Sequence, residues 1–250
     1  MDVRTTDRAV THDLADPGSQ ADGSLLRFGG WALVAGALLG MVGNLIHPAT
    51  PTDDPEGVAR AIAESGAWIG IHLTIVVGLV LMLGGIVALA RAIRPEGGTA
   101  GHAATLAEGF AVAGVTIGLI LVTLDGLAAK HLADAWVEAP AGERAVALGL
   151  VTVEETINFA LAALFNIVFA GVTFILLGLA VARSDRLRDP LGWIVLGAGV
   201  GSIVVGLVQA SIGESTAFSR ALTIVFPTVI TLWLAIMGAK MLRLARSRKG

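Results

Sequence analysis

The sequence predicts an all-α polytopic membrane bundle with six transmembrane helices. Three observations predict it: six long apolar stretches, the scarcity of charge within them, and the placing of Lys and Arg on alternate connections. The stretches run approximately over residues 28–47, 67–93, 106–127, 157–182, 191–212 and 218–242. At about 1.5 Å of rise per residue, each supplies the roughly 20 residues that cross about 30 Å of hydrocarbon. In hydrocarbon every backbone N–H and C=O must be bonded within its own segment, which selects helices. The alternating ten-residue strands of a membrane barrel are not visible.

Taken in order, residues 1–23 are polar and acidic (Asp2, Asp7, Asp13, Asp16, Asp22) and lack a basic stretch followed by an apolar core. They read as a disordered cytoplasmic tail, not a cleaved signal peptide. Residues 24–243 hold the six spans, and residues 244–250 form a basic cytoplasmic tail. After the first span, Thr52-Asp53-Asp54-Pro55 has the form of a helix start with Asp as cap and Pro in the first turn, and Gly66 is placed to end that helix. After Pro140 a helical pattern (Val146, Leu148, Leu150, Val151, Val153) leads to Glu154 and Glu155. A straight helix from there to Ala182 would be roughly 60 Å long, twice the hydrocarbon. Its apolar residues favour a bend near the glutamates that lays the segment along the outer interface. Pro227, flanked by Thr223, Thr228 and Thr231, can kink the sixth span.

Orientation follows from the cations. Thirteen of the 17 Lys and Arg residues lie at the N-terminus (Arg4, Arg8, Arg27), on the second connection (Arg91, Arg94), on the fourth (Arg183, Arg186, Arg188) and at the C-terminus (Lys240, Arg243, Arg246, Arg248, Lys249). Arg60, Lys130, Arg144 and Arg220 occupy the other connections. Loop cations stay on the cytoplasmic side, so both termini are expected in the cytoplasm of a cell whose plasma membrane holds the chain. Trp31, Trp68 and Trp193 sit at span ends as interfacial anchors, whereas Trp233 lies mid-span and reads as packing. The expected partners are the lipid bilayer and, at the basic C-terminus, anionic inner-leaflet lipids. No nucleic-acid partner is expected, and a homo-oligomer is left open.

Composition narrows the chemistry. The chain is 55% hydrophobic and 15% charged, against about 25% charged in soluble domains. With no cysteine, disulfides, thiolate metal sites and cysteine nucleophiles are excluded. There is no GxSxG elbow, and Gly197, Gly199 and Gly201 follow no strand, so they are helix-packing glycines and not a phosphate loop.

The polar residues of the spans gather at the ends that this orientation places outside: Asn44, His47, His72, Asp125, Lys130, His131, Glu154, Glu155, Asn158, Gln209, Glu214 and Arg220. Residues three or four apart share a helix face. Gly36, Gly40, Gly43, Asn44 and His47 align, as do Gly114, Gly118, Leu121 and Asp125; Glu155, Asn158, Ala162, Asn166 and Ala170; and Ser202, Gly206, Gln209 and Gly213. Small faces are where membrane helices meet, so four spans aim polar ends at the bundle interior. His72 shares its face with Trp68, Val76 and Leu79, which suits lipid or a neighbouring helix. Asn44, His47, His72, Asp125, His131, Glu154, Glu155 and Asn158 are the candidate binding cluster. Asp125 is expected to pair with Lys130 or Arg220, or to share a proton with a histidine.

These features suit a non-enzymatic binding, sensing or scaffolding role for an outward polar vestibule. Two alternatives stand beside it, a small-solute transporter and a metal-dependent membrane enzyme, so the sequence leaves enzymatic activity undecided. Transport would call for a midplane polar site and an inverted repeat, where the midplane offers Asn166 and threonines and the two halves share no alignment. No cofactor is expected under the first reading. Under the last, a divalent ion such as zinc would take His47, His72, His131 and Asp125, residue types that suit it without HxxxH or HExxH spacing.

Asp125-Gly126, Lys130 and Asp134-Ala135-Trp136, together with the segment from Asn44 to Pro48 and His72-Leu73, resemble a group of uncharacterised multi-pass membrane proteins of high-GC bacteria. The resemblance covers the first four spans and implies a membrane bundle without assigning an activity.

Overall fold

The computed structural model describes residues 17–51, 54–212 and 217–247. Helix α1 (Pro17–Ile46) is followed by a short α2 (Pro55–Glu64) and by α3 (Trp68–Ile93). Next come α4 (Gly98–Thr123), a π-helical turn over Leu124–Ala128, and α5 (Ala129–Glu138), which together form one helix of 41 residues. Then α6 (Arg144–Phe165), a second π-helical stretch over Asn166–Thr173, and α7 (Phe174–Arg183) form one of 40. Helices α8 (Leu191–Ile212) and α9 (Ala217–Ser247) complete the chain. Among the described residues there is no strand, and six helices are long and apolar enough to cross a membrane. The protein is a multi-pass membrane helical bundle.

Two sequence expectations change. Helix α1 starts at Pro17, so residues 17–23 are helical and not disordered tail; residues 1–16 lie outside the described residues. No break falls at Glu154 and Glu155 either, because α6 is continuous from Arg144 to Phe165. What supports the straight helix is a partner: Val151 is buried with Ala59 and Trp136, and Leu132, Ala147 and Leu148 pack on that cluster. Helices about 60 Å long exceed a hydrocarbon layer of about 30 Å. α5 and the start of α6 therefore form a cap beyond one end of the bundle, with α2 packed against both. Asp54 caps α2 by accepting from the Gly57 N–H at 2.9 Å, and Pro55 follows in the first turn.

The six spans stand in a closed ring. Each touches the next in sequence, and α9 closes on α1. Where α1 crosses α3 the backbones nearly touch: a Cβ added to Gly78 would lie 2.9 Å from the Gly40 amide nitrogen, so only glycine permits this approach. The half of the ring away from the cap is filled by Leu33, Ile86, Leu89, Phe174, Leu177 and Met237, all buried. Large apolar side chains such as Phe28, Leu45, Val80, Ile194 and Leu207 point outward from the ring, where hydrocarbon would meet them.

Candidate functional site

At the cap end the ring does not fill. A cavity of about 440 Å³ opens there, lined by α1, α3, α4 with its π turn, α6 with its π stretch, and α9. Its mouth is polar and its depth apolar. The mouth carries Asn44, His47, His72, Asp125, Glu155 and Asn158; deeper lie Phe165, Phe169, Met82, Ile230 and Leu234.

The mouth is built around Trp68, the first residue of α3. Its indole nitrogen donates to the Asp125 backbone carbonyl at 2.8 Å, tying α3 to the π turn. One turn later His72, only 1% exposed, donates Nδ1–H to the Trp68 carbonyl at 2.7 Å. A carbonyl only accepts, so the hydrogen sits on Nδ1. The other ring nitrogen, Nε2, lies 3.0 Å from Asp125 Oδ2. Gly126 permits this pairing, because a Cβ there would fall on the His72 side chain. The π turn contributes too: the Ala129 N–H bonds back five residues to the Leu124 carbonyl. One extra residue in that turn shifts the register of the helix at the point where Asp125 faces its partner.

His47 comes in from the end of α1. Its ring meets Trp68 and His72 edge-on, with centroids 4.8 and 5.0 Å away, and its Nδ1–H donates to the Pro48 carbonyl at 2.9 Å. A ring nitrogen of each histidine and an Asp125 carboxylate oxygen all lie within 4.8 Å of one another. Asn44 donates to the Gly40 carbonyl of its own helix, which leaves its side-chain oxygen available beside the cavity.

α6 supplies the acidic wall. Glu155, Asn158, Ala162, Asn166 and Ala170, the face that helical spacing predicts, all line the cavity. Glu154 is 6% exposed, and neither of its carboxylate oxygens has a hydrogen-bond partner; the Asn158 side-chain oxygen has none either. Buried polar atoms without partners are rare, since each forfeits about 1–3 kcal/mol of solvation. At mid-depth Asn166 donates to Gln209 of α8 at 2.8 Å, which links the two amides inside the bundle.

The structure thus brings Asn44, His47, His72, Asp125, Glu155 and Asn158 to one mouth, with Glu154 beside them. His131 does not join them: it is exposed on α5. Asp125 pairs with His72 and not with Lys130, whose ammonium instead donates to Asp134 and to the Ala63 carbonyl, both at 2.7 Å. The Arg220 side chain and Glu214 lie outside the described residues. His72 faces the π turn and not lipid. Sequence reasoning missed Trp68 as an organiser of the site, reading it as an interfacial anchor. Its four-residue spacing to His72 was the available signal.

Chemically, this is a mouth of two imidazoles, carboxylates and amides above an apolar well, a combination typical of small-molecule pockets of about 300–1,000 Å³. The family model for a domain of unknown function, DUF4386, matches residues 28–238, and the chain belongs to that family. Comparisons with curated proteins and with solved structures return no match.

Proposed function

We propose that this protein binds a single-tailed amphiphile, tail down in the cavity and head at the mouth, as a non-enzymatic receptor or sensor. The observation that carries this reading is the polarity gradient along one cavity, from Asp125, Glu155 and Asn158 to Phe169, Met82 and Leu234. Carboxylates and an amide oxygen favour a head that donates hydrogen bonds, such as an amine or hydroxyl, and the unpartnered oxygen of Asn158 adds an acceptor. The alternation of loop cations supports a plasma-membrane setting in which the termini and the basic C-terminal end are cytoplasmic and the mouth opens outside. The packed half beneath the cavity favours binding over passage.

The test uses full-length protein in nanodiscs with a chelator present. Dansyl-tagged undecylamine should bind saturably with one probe per chain, at least about tenfold more tightly than dansyl-tagged undecanoate, the ratio that about 1.4 kcal/mol of charge pairing supplies. Ala162→Trp, which fills the well, should abolish the saturable signal. Equal signals from wild type and Ala162→Trp would refute the reading.

A further inference from the structure

We infer that His47, His72 and Asp125 form a binding site for a divalent transition-metal ion of the zinc class at the cavity mouth. The inference goes beyond the amphiphile reading and does not depend on it. It starts from where the hydrogens must be. Both histidines give Nδ1–H to backbone carbonyls, His47 to Pro48 and His72 to Trp68. Each neutral ring then keeps its lone pair on Nε2. For His72 that lone pair faces a carboxylate oxygen at 3.0 Å, an arrangement of two acceptors that requires positive charge between them.

A proton on His72 would satisfy that pair and leave the His47 lone pair unused. A metal ion uses all three residues, each of which places a ligand atom within 4.8 Å of the other two. Two imidazoles and one carboxylate are a borderline donor set that suits zinc and its neighbours, whereas magnesium and calcium select oxygen. The supports behind the ligands match what metal-binding histidines need. Backbone carbonyls fix both rings through the far nitrogen, and the Trp68 indole holds the Asp125 backbone. Zinc bonds of about 2.0–2.1 Å call for donor separations shorter than the longest edge of this triangle, so the ring of His47 moves inward on loading. Three protein ligands leave a coordination position open, and the side available to it is the cavity, where Glu155 and Asn158 stand.

The experiment strips the full-length protein in nanodiscs with EDTA, removes the chelator, and reloads it with zinc or cobalt(II). Expected are one zinc per chain by mass spectrometry after desalting, and visible cobalt bands that zinc displaces. His47→Gln and Asp125→Asn, which preserve side-chain size, should lower zinc content to near zero, while His131→Ala should retain one per chain. Zinc should raise the unfolding temperature of wild type and His131→Ala but not of Asp125→Asn, which separates ligand loss from misfolding. Wild type that holds no stoichiometric zinc or cobalt would overturn the site, as would equal loading of His47→Gln or displacement of zinc by equimolar magnesium. Because the amphiphile assay runs in chelator, failure of either proposal leaves the other to its own result.

Discussion

The two ends of this bundle treat their polar groups in opposite ways. At the arginine-rich end they are paired. Glu108 accepts from Arg91 at 2.9 Å, and Glu96 accepts from the Ser184 hydroxyl and the Asp185 N–H at 2.7 Å each. Lys240 donates to the Leu187 and Arg188 carbonyls and to Asp189. Arg186 gives one nitrogen to Asp22, although its second finds no partner. At the cap end Glu154 has neither oxygen bonded and Asn158 keeps a bare oxygen, beside the pair that His72 makes with Asp125. The paired end reads as a fastening for the connections between spans. The other end lines a cavity, and the bare Asn158 oxygen beside it is what the proposed binding role would use.

The largest expected effect falls on the organiser of the cap end. Trp68→Ala should cost about 3–5 kcal/mol, as deleting a fully buried indole does, measured by denaturant or thermal unfolding in nanodiscs. It should also abolish binding of the amine probe, because Asp125, His47 and His72 all lose a neighbour. Trp68→Phe keeps most of the packing and loses the bond to the Asp125 carbonyl, so it should recover most of the stability. A Trp68→Ala protein that binds the probe normally would break the contrast between the ends.

A smaller effect is expected between them. Asn166→Leu removes one interhelical hydrogen bond inside the bundle, where such bonds average about 0.6 kcal/mol and reach about 1.7. Gln209 then loses this partner, so the cost should sit towards the upper value in the same unfolding assay. Probe binding should change little, since Asn166 lies below the mouth. A large loss of binding would move the polar contact for the ligand down to mid-depth.

Much of this architecture was legible because a helix repeats every 3.6 residues. Glu155, Asn158, Ala162, Asn166 and Ala170 could be placed on one face from spacing alone, and all five line the cavity. The α2 cap was legible as well, since Asp followed by Pro has few other uses. The π segments were not, because an extra residue in a turn leaves no composition signature. Without it, Lys130, Arg220 and a histidine all stood as partners for Asp125, and the spacing did not say that the histidine is His72. Lys130 instead satisfies Asp134 one turn along its own helix. The straight α6 was hidden for a related reason: Leu148 and Val151 are apolar whether they meet lipid or Trp136, and only the fold says which. His131 illustrates the converse, a metal-capable residue type on an exposed face of α5.

The contrast between the ends comes down to whether a carboxylate is bonded, and one paired measurement tests it: the unfolding free energy in nanodiscs of Glu96→Gln and of Glu154→Gln, each against wild type. Glu96→Gln sets an amide donor against the donors of Ser184 and Asp185 and should cost about 1–3 kcal/mol. Glu154→Gln breaks no hydrogen bond, because neither carboxylate oxygen has a partner to lose, and should leave stability unchanged or raised. If Glu154→Gln destabilises the protein as much as Glu96→Gln, Glu154 is a fastening like the rest, and the cap end is not held open for a ligand.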